Sequence, residues 1–323
     1  MLKFDDHNDF YVNSPTTNVL TRFQIVPSVF PHFVCMFDRF PLPHDDFQLN
    51  FGVQAVPADR SLVIATDEYR SEIELKKHLL ETRFDQCWAA TPDSLAAQAE
   101  AVQLLRSRCD SEHPLRSDQV ENRLNGVIGS GADSPLLAIS RLVQEDLVIL
   151  RHDVEGGFPV MAGSVCFPSG WSIADKLGQS QHCVHAAVPR FNQQLLSPSL
   201  KLLERLKSGR SVARSNWAVR ASSRLDQFPS DAGETLAASQ LVTPRNAAKC
   251  MFRVEFQTLS RLTETRAVLF TIHTFQRPLE SLSGAERQRL ARVIETCPES
   301  TLRYKGIWPM RESLVSWLRA GDA

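Results

Sequence analysis

The chain has 323 residues, 43% of them hydrophobic and 23% charged, the balance of a globular protein with a sizeable core, which excludes a disordered class. Its 36 basic and 37 acidic residues give a formal net charge of -1 with no basic stripe, which excludes nucleic acid as a partner. No apolar run is long enough to span a bilayer, and MLKFDDHNDFYV at the start lacks the layout of a secretory signal, so a cytoplasmic chain without a membrane role is expected.

Residues 1–60 are rich in Phe, Pro and Asp, with FPHF at 30–33 and FPLPHDDF at 40–47. Proline at this density favours extended arms and turns. The pattern predicts an N-terminal arm (1–60) packed on a single larger domain (61–323), with a short strand over 61–66. After Asp67 the spacing of Ile73, Leu75, Leu79 and Leu80 predicts a helix. Thr91-Pro92-Asp93 opens another, with Leu95, Ala99, Val102 and Leu105 on one face. Residues 109–134 read as a charged, glycine-containing connection. Ser134-Pro135 opens a helix burying Leu136, Ile139, Val143 and Leu147.

The period then changes. LVILRHD and FPVMAGSVCF flank Val154-Glu155-Gly156-Gly157 and predict a hairpin. Ser197-Pro198 starts a helix with Leu200, Leu203 and Leu206, ended near Gly209. Residues 211–220 read as extended and 221–247 as a long loop. MFRVEFQ (251–257) alternates cleanly, and AVLFTIHTF (267–275) is a second strand near enough for antiparallel pairing. Ser283 to Glu286 forms a capping box before Leu290, Val293 and Ile294, and a last helix near 310–319 buries Leu314, Trp317 and Leu318. The fold class is α+β: helices first, an antiparallel sheet in the second half, helices at the end.

Seven scattered cysteines without a CxxC spacing argue against a zinc ribbon, an iron–sulfur cluster in this chain or a disulfide framework. The absence of CxxCH excludes covalently attached haem. GxGxxG, GxxxxGK[ST], GxSxG and HExxH are all missing.

Three stretches carry candidate chemistry. VCFPSGWSIADKLGQSQHCVHAAVPRF (165–191) brings Trp171 together with His182 and His185. Spacing alone leaves two readings open: a cofactor-ligating imidazole, or a histidine satisfied by a backbone carbonyl. In RSNWAVR, Arg214 and Arg220 suit a carboxylate and Trp217 suits a flat ring, but the same residues, with Asn216, also make an ordinary strand edge. On MFRVEFQ, Arg253, Glu255 and Gln257 share one face. If it lines a pocket, Glu255 holds an ammonium group or moves protons; if it is solvated, nothing follows.

Taken in order, RLVQEDLVIL (141–150), VCFPSGW…DKLG (165–178), VHAAVP (184–189), RSNW (214–217), EFQTLSRL (255–262), FTIHTF (270–275) and YKG (304–306) resemble the haem-dependent oxidative N-demethylase family, as in the haem subunits of dimethylamine monooxygenases. The resemblance implies a PAS-like antiparallel sheet with flanking helices and a non-covalent haem b. It implies O2-dependent oxidation of an N-methyl group on a small secondary amine such as dimethylamine, releasing formaldehyde. It also implies a separate reductase subunit carrying FMN and a 2Fe-2S cluster and driven by NADPH. By position, His185 is the implied proximal iron ligand, Trp217 a wall of the haem site, and Arg214 and Glu255 the distal residues that polarise O2 and hold the amine. Four positions depart from the family pattern: Phe256 stands where an arginine is usual, Thr263 where a proline is, Gly170 where an arginine is, and Arg190 where a glycine is. PAS-like folds also serve as sensors, and fold does not fix function. A haem or small-molecule sensor is therefore the alternative, and a structural subunit that has lost its cofactor a third possibility.

Overall fold

Two eleven-residue strands form the centre of the sheet, because each alternates side chains that suit opposite faces. The computed structural model describes residues 40–49, 52–130 and 134–320, so residues 1–39 of the expected arm lie outside the described residues. Its strands are β1 (Gln54–Val56), β2 (Trp88–Ala90), β3 (Asp146–Leu150), β4 (Val160–Ser164), β5 (Ser211–Arg220), β6 (Met251–Arg261) and β7 (Val268–Pro278). They make one antiparallel sheet in the order β1-β5-β6-β7-β3-β4-β2. The chain is thus α+β as expected, and the hairpin β3–β4 and the pair β6–β7 stand where the alternation put them.

Register decides which side chains share a face. Glu255 lies between Asn216 and Thr274, and Gln257 between Arg214 and Ile272. Leu259 lies opposite Phe270, which pairs in turn with Val148. One face therefore carries a polar patch running into an apolar one. The opposite face carries Val254, Phe256 and His273, and Thr258 and Thr271 share a hydrogen bond there at 2.7 Å. Val148, Leu150, Phe158, Val160, Ile173, Leu203 and Leu259 belong to one buried cluster beneath the segment that follows β4.

The helices mostly follow their sequence signals. Tyr69–Thr82 buries Ile73, Leu79 and Leu80, and Gly284–Thr296 begins at a formed capping box between Ser283 and Glu286. Several expectations are corrected. The helix Leu95–Ser107 buries Ala97, Ala101, Val102 and Leu105, while Leu95 is exposed, because the turn Pro92–Ser94 rotates its entry. Residues 109–134 and 221–247 are not mere connections: they contain the helices Asp118–Ser130 and Ala232–Gln240, which polar and small residues hid from a hydrophobic-period reading. The helix opened by Pro135 stops at Ser140, and Leu147 is buried from a strand instead. Of the expected strand at 61–66, only a single bridge from Val63 to Cys109 forms. Trp317 is half-buried, its ring covered by Arg287 at 5.4 Å.

One feature of the core was invisible in the sequence. Lys76 is fully buried, with Nζ 3.3 Å from Asp146 Oδ1 and donating to the Glu145 carbonyl at 2.5 Å. Burial pushes the Asp146 carboxyl up; the Lys76 charge and two backbone N–H groups oppose it. Removing one partner of such a pair leaves an uncompensated charge, a cost of about 3–5 kcal/mol. Lys76→Met should therefore lower stability by about that amount in urea unfolding. Unchanged stability would mean that Asp146 does not need its counter-ion.

Candidate functional site

Two buried charged side chains fix the route from β4 to the site. Asp146 accepts the backbone N–H groups of Cys166 and Phe167, each at 2.8 Å. Arg253 is fully buried and donates to the carbonyls of Phe167 at 2.6 Å and Leu225 at 2.9 Å. Gly170 then turns the chain at φ +83°, which glycine adopts without strain, and its N–H meets the Gln227 carbonyl at 2.7 Å. The turn brings Ser169 back to the sheet, where its hydroxyl donates to Glu255 Oε1 at 3.0 Å.

Further on, Ser180 caps the single helical turn Gln181–Val184, and Gln181 Nε2 donates to the Phe158 carbonyl at 3.0 Å. His185 follows. Its ring stacks on Phe191, with centroids 4.0 Å apart and planes 11° apart, and its Nδ1 lies 3.0 Å from the Gln181 carbonyl. A carbonyl only accepts, so Nδ1 carries the proton and Nε2 keeps its lone pair. Burial lowers His185 from the ordinary 6.5 to about 4; the Gln181 carbonyl opposes this, and the charges of Arg214 and Lys176 add to it. The ring is neutral near pH 7. His182 is exposed and is not among the lining residues.

His185 lines a cavity of about 630 Å³. Pockets of about 300–1,000 Å³ bury ligands the size of a drug or a cofactor. Val148, Leu150, Val160, Leu259, Phe270 and Ile272 line it from the sheet, and Val184, Phe191, Leu195 and Leu203 from the segment after β4. Residues 41–49 contribute a strap to the lining, tied down by Arg292 to Asp46 at 2.6 Å and by the Phe47 N–H to Thr296 Oγ1 at 2.8 Å.

The other end of the cavity is polar. Glu255 accepts from Ser169, from Asn216 Nδ2 at 3.2 Å and from Gln257 Nε2 at 3.0 Å, and Arg253 Nε lies 3.9 Å away. Burial raises its pKa, but Arg253, these hydrogen bonds and Lys305 together outweigh that and hold it below the usual carboxylate range. Lys305 Nζ donates to the Trp217 carbonyl at 2.6 Å and to Asn216 Oδ1 at 3.2 Å, and sits 4.7 Å over the Trp217 ring. Burial pushes it down to about 8. Arg214 lines the same end.

A sequence profile of the family described as haem-dependent oxidative N-demethylase, alpha subunit-like, matches residues 53–315. The chain belongs to this family. Membership supports oxidoreductase chemistry that depends on haem, and a place in a multi-subunit oxygenase with a partner. The cavity of this N-demethylase-like chain suits such a group. A porphyrin needs an apolar slot, supplied by the sheet residues. It needs an imidazole with a free lone pair, supplied by His185 Nε2. It also needs a cation near its carboxylates, and Lys176, which donates to the Val184 carbonyl at 3.2 Å, lines the cavity beside His185.

The four residues to which the resemblance gives roles, His185, Arg214, Trp217 and Glu255, line this one cavity, as do Trp171, Asn216 and Gln257; His182, Arg220 and Arg253 are not among its lining residues. Ser169 and Lys305 also belong to it and were not singled out, although each lies inside a quoted segment, PSGW and YKG. Ser169 lies two residues before Trp171, while no chosen residue stands near Lys305 in the chain. The departures from the family pattern fall into place too. Phe256 is on the sheet face opposite Glu255, and Thr263 is exposed and absent from the lining, so neither removes a group from the cavity. Arg190 has φ +62°, the left-handed conformation that favours glycine, the residue that the resemblance led one to expect there. Gly170 is the departure that does face the cavity.

The lowered pKa of His185 sets a pH dependence. Between pH 6.5 and about 4 the unfolded chain binds a proton that the folded chain refuses, so stability falls as pH drops through this window. In haem-free protein, melting temperatures of the parent and of His185→Gln should therefore converge as pH falls from 7 to 4.5. A constant difference across that range would mean that the fold does not hold His185 neutral.

Proposed function

We propose that this chain is the haem-carrying subunit of an oxygenase that demethylates a small secondary amine such as dimethylamine. The observation that carries the proposal is His185: a neutral imidazole with Nδ1 held by a carbonyl and Nε2 left for a metal, beside an apolar cavity of about 630 Å³ in a chain of this family. His185 is the proposed iron ligand, and Trp217 a wall of the haem site. The domain that carries them spans 61–323, is PAS-like, and bears the arm of residues 1–60.

Bound haem b, held non-covalently, would supply the activation of O2. The chain's own groups then have separate tasks. Arg214 offers guanidinium donors to negative charge developing on oxygen. Glu255, ionised at neutral pH, accepts the ammonium group of the substrate and orients its methyl. The apolar walls exclude water from the reacting methyl group. The balance is R–NH–CH3 + O2 + 2e− + 2H+ → R–NH2 + HCHO + H2O. The two electrons come from NADPH through a reductase subunit carrying FMN and a 2Fe-2S cluster, in a cytoplasmic setting.

Protein produced with adequate iron should show a Soret band with haem near one per chain, removable by acidic organic solvent. His185→Ala should lose haem or change its axial ligation, while His182→Ala keeps a near-normal spectrum; the reverse would move the ligand to His182. With reductase and NADPH, dimethylamine should yield formaldehyde. Haem binding with no formaldehyde from any small amine would point to a sensor instead. Glu255→Gln should weaken amine binding by roughly one to two powers of ten with little effect on haem, and equal dissociation constants would remove Glu255 from the substrate site.

A further inference from the structure

The polar end of the cavity holds two opposite charges on the two ends of one amide. Asn216 Nδ2 donates to Glu255 Oε2 at 3.2 Å, and Asn216 Oδ1 accepts from Lys305 Nζ at 3.2 Å. Neither charge is saturated. Lys305 has three N–H donors, two of them committed to Asn216 and the Trp217 carbonyl. Glu255 has about four acceptor positions, three of them used by Ser169, Asn216 and Gln257, with Arg253 Nε outside hydrogen-bond distance at 3.9 Å. One donor on a cation and one acceptor on a carboxylate remain, on two residues that both line the cavity and are joined through the Asn216 amide.

A plain alkylammonium meets only half of this arrangement: it satisfies Glu255 and is repelled by Lys305. A ligand carrying an ammonium group and a carboxylate a few bonds apart satisfies both. We infer that the amine taken by this site also carries a carboxylate, as in an N-methylated amino acid, with its ammonium on Glu255 and its carboxylate on Lys305. The inference rests on the amine-oxidising function proposed above and narrows its substrate class.

The surroundings of Lys305 agree. It enters at the edge of β5 beyond Ala213, where β1 no longer pairs, and Arg220 on that strand donates to the Lys305 carbonyl and fixes its turn. The charged and titratable groups that act on its ammonium are Glu255 from β6, Arg214 and Arg220 from β5, and Cys297. Two of these are cations and only one is a carboxylate, so an incoming carboxylate improves the local balance. The charges weighing on His185 are Arg214 and Lys176, so Arg214 is common to both ends of the cavity while Lys176 acts on the imidazole and not on Lys305.

The test is spectral titration of the haem-loaded protein with N-methylglycine and with dimethylamine at pH 7 and pH 9. At pH 7 N-methylglycine should bind roughly 10- to 100-fold more tightly than dimethylamine. The preference should fade toward pH 9, as Lys305 passes its value of about 8 and loses its charge, while dimethylamine binding holds or improves. Lys305→Met should abolish the preference and Lys305→Arg should keep part of it. If the methionine variant does not fold, the pH series on the parent and the arginine variant still decide. Dimethylamine binding without any preference for N-methylglycine overturns the inference and leaves the proposed function standing, as does a preference that survives in Lys305→Met. Weaker binding of haem, but not of haem dimethyl ester, in Lys305→Met assigns Lys305 to the cofactor's propionates and likewise overturns it. Binding of neither amine ends both.

Discussion

Arg253 is the constraint on which the site depends. A guanidinium whose side chain is 1% exposed in the middle of a sheet has to find its counter-charge and acceptors inside the protein. It finds the carbonyls of Phe167 and Leu225, and Glu255 two residues along the same strand face. The first of these holds the chain after β4 against the sheet, and the second holds a carboxylate ionised inside the cavity. The alternation of a single strand thus both anchors the loop and charges the pocket. Burial lowers Arg253 only to about 10, so it remains a cation at neutral pH.

From that anchor the cavity takes its two-ended character. Toward β7 and β3 the sheet face is Leu259, Phe270, Ile272 and Val148; toward β5 it is Glu255, Gln257, Asn216 and Arg214. A flat apolar group and a polar reacting group can then share one space without either burying unmatched charge. His185 approaches from the facing segment, and its stacking on Phe191 and its bond to the Gln181 carbonyl fix the ring before any ligand arrives. That preorganisation is what a metal-binding imidazole requires.

The elements with strong periodicity were legible in the chain alone. MFRVEFQ and AVLFTIHTF announced their faces by strict alternation, and Ser283 with Glu286 announced a helix start by the chemistry of its cap. The helices Asp118–Ser130 and Ala232–Gln240 were not legible, because small and polar residues fill positions that tertiary contacts then make helical. At the site, the four residues chosen from motifs share one cavity, but Lys305 stayed hidden. It lies 89 residues from Asn216, and nothing local marks a lysine as buried.

By itself the sequence determined the class of the fold, the two faces of the central strands, the lack of any covalent haem attachment signature and the membership of a family. Each of these is a property of neighbouring residues: a period of two, a cap, a spacing of cysteines, a run of motifs. Only the tertiary structure decided that the His185 ring is held by Phe191 and the Gln181 carbonyl, that Arg253 is buried and clasps the turn before Ser169, and that Glu255 and Lys305 sit at opposite ends of one asparagine amide. Those facts depend on strand register and on the crossing of distant segments. Charge burial and pKa are set by what packs around a group from elsewhere in the chain, and no local pattern encodes that.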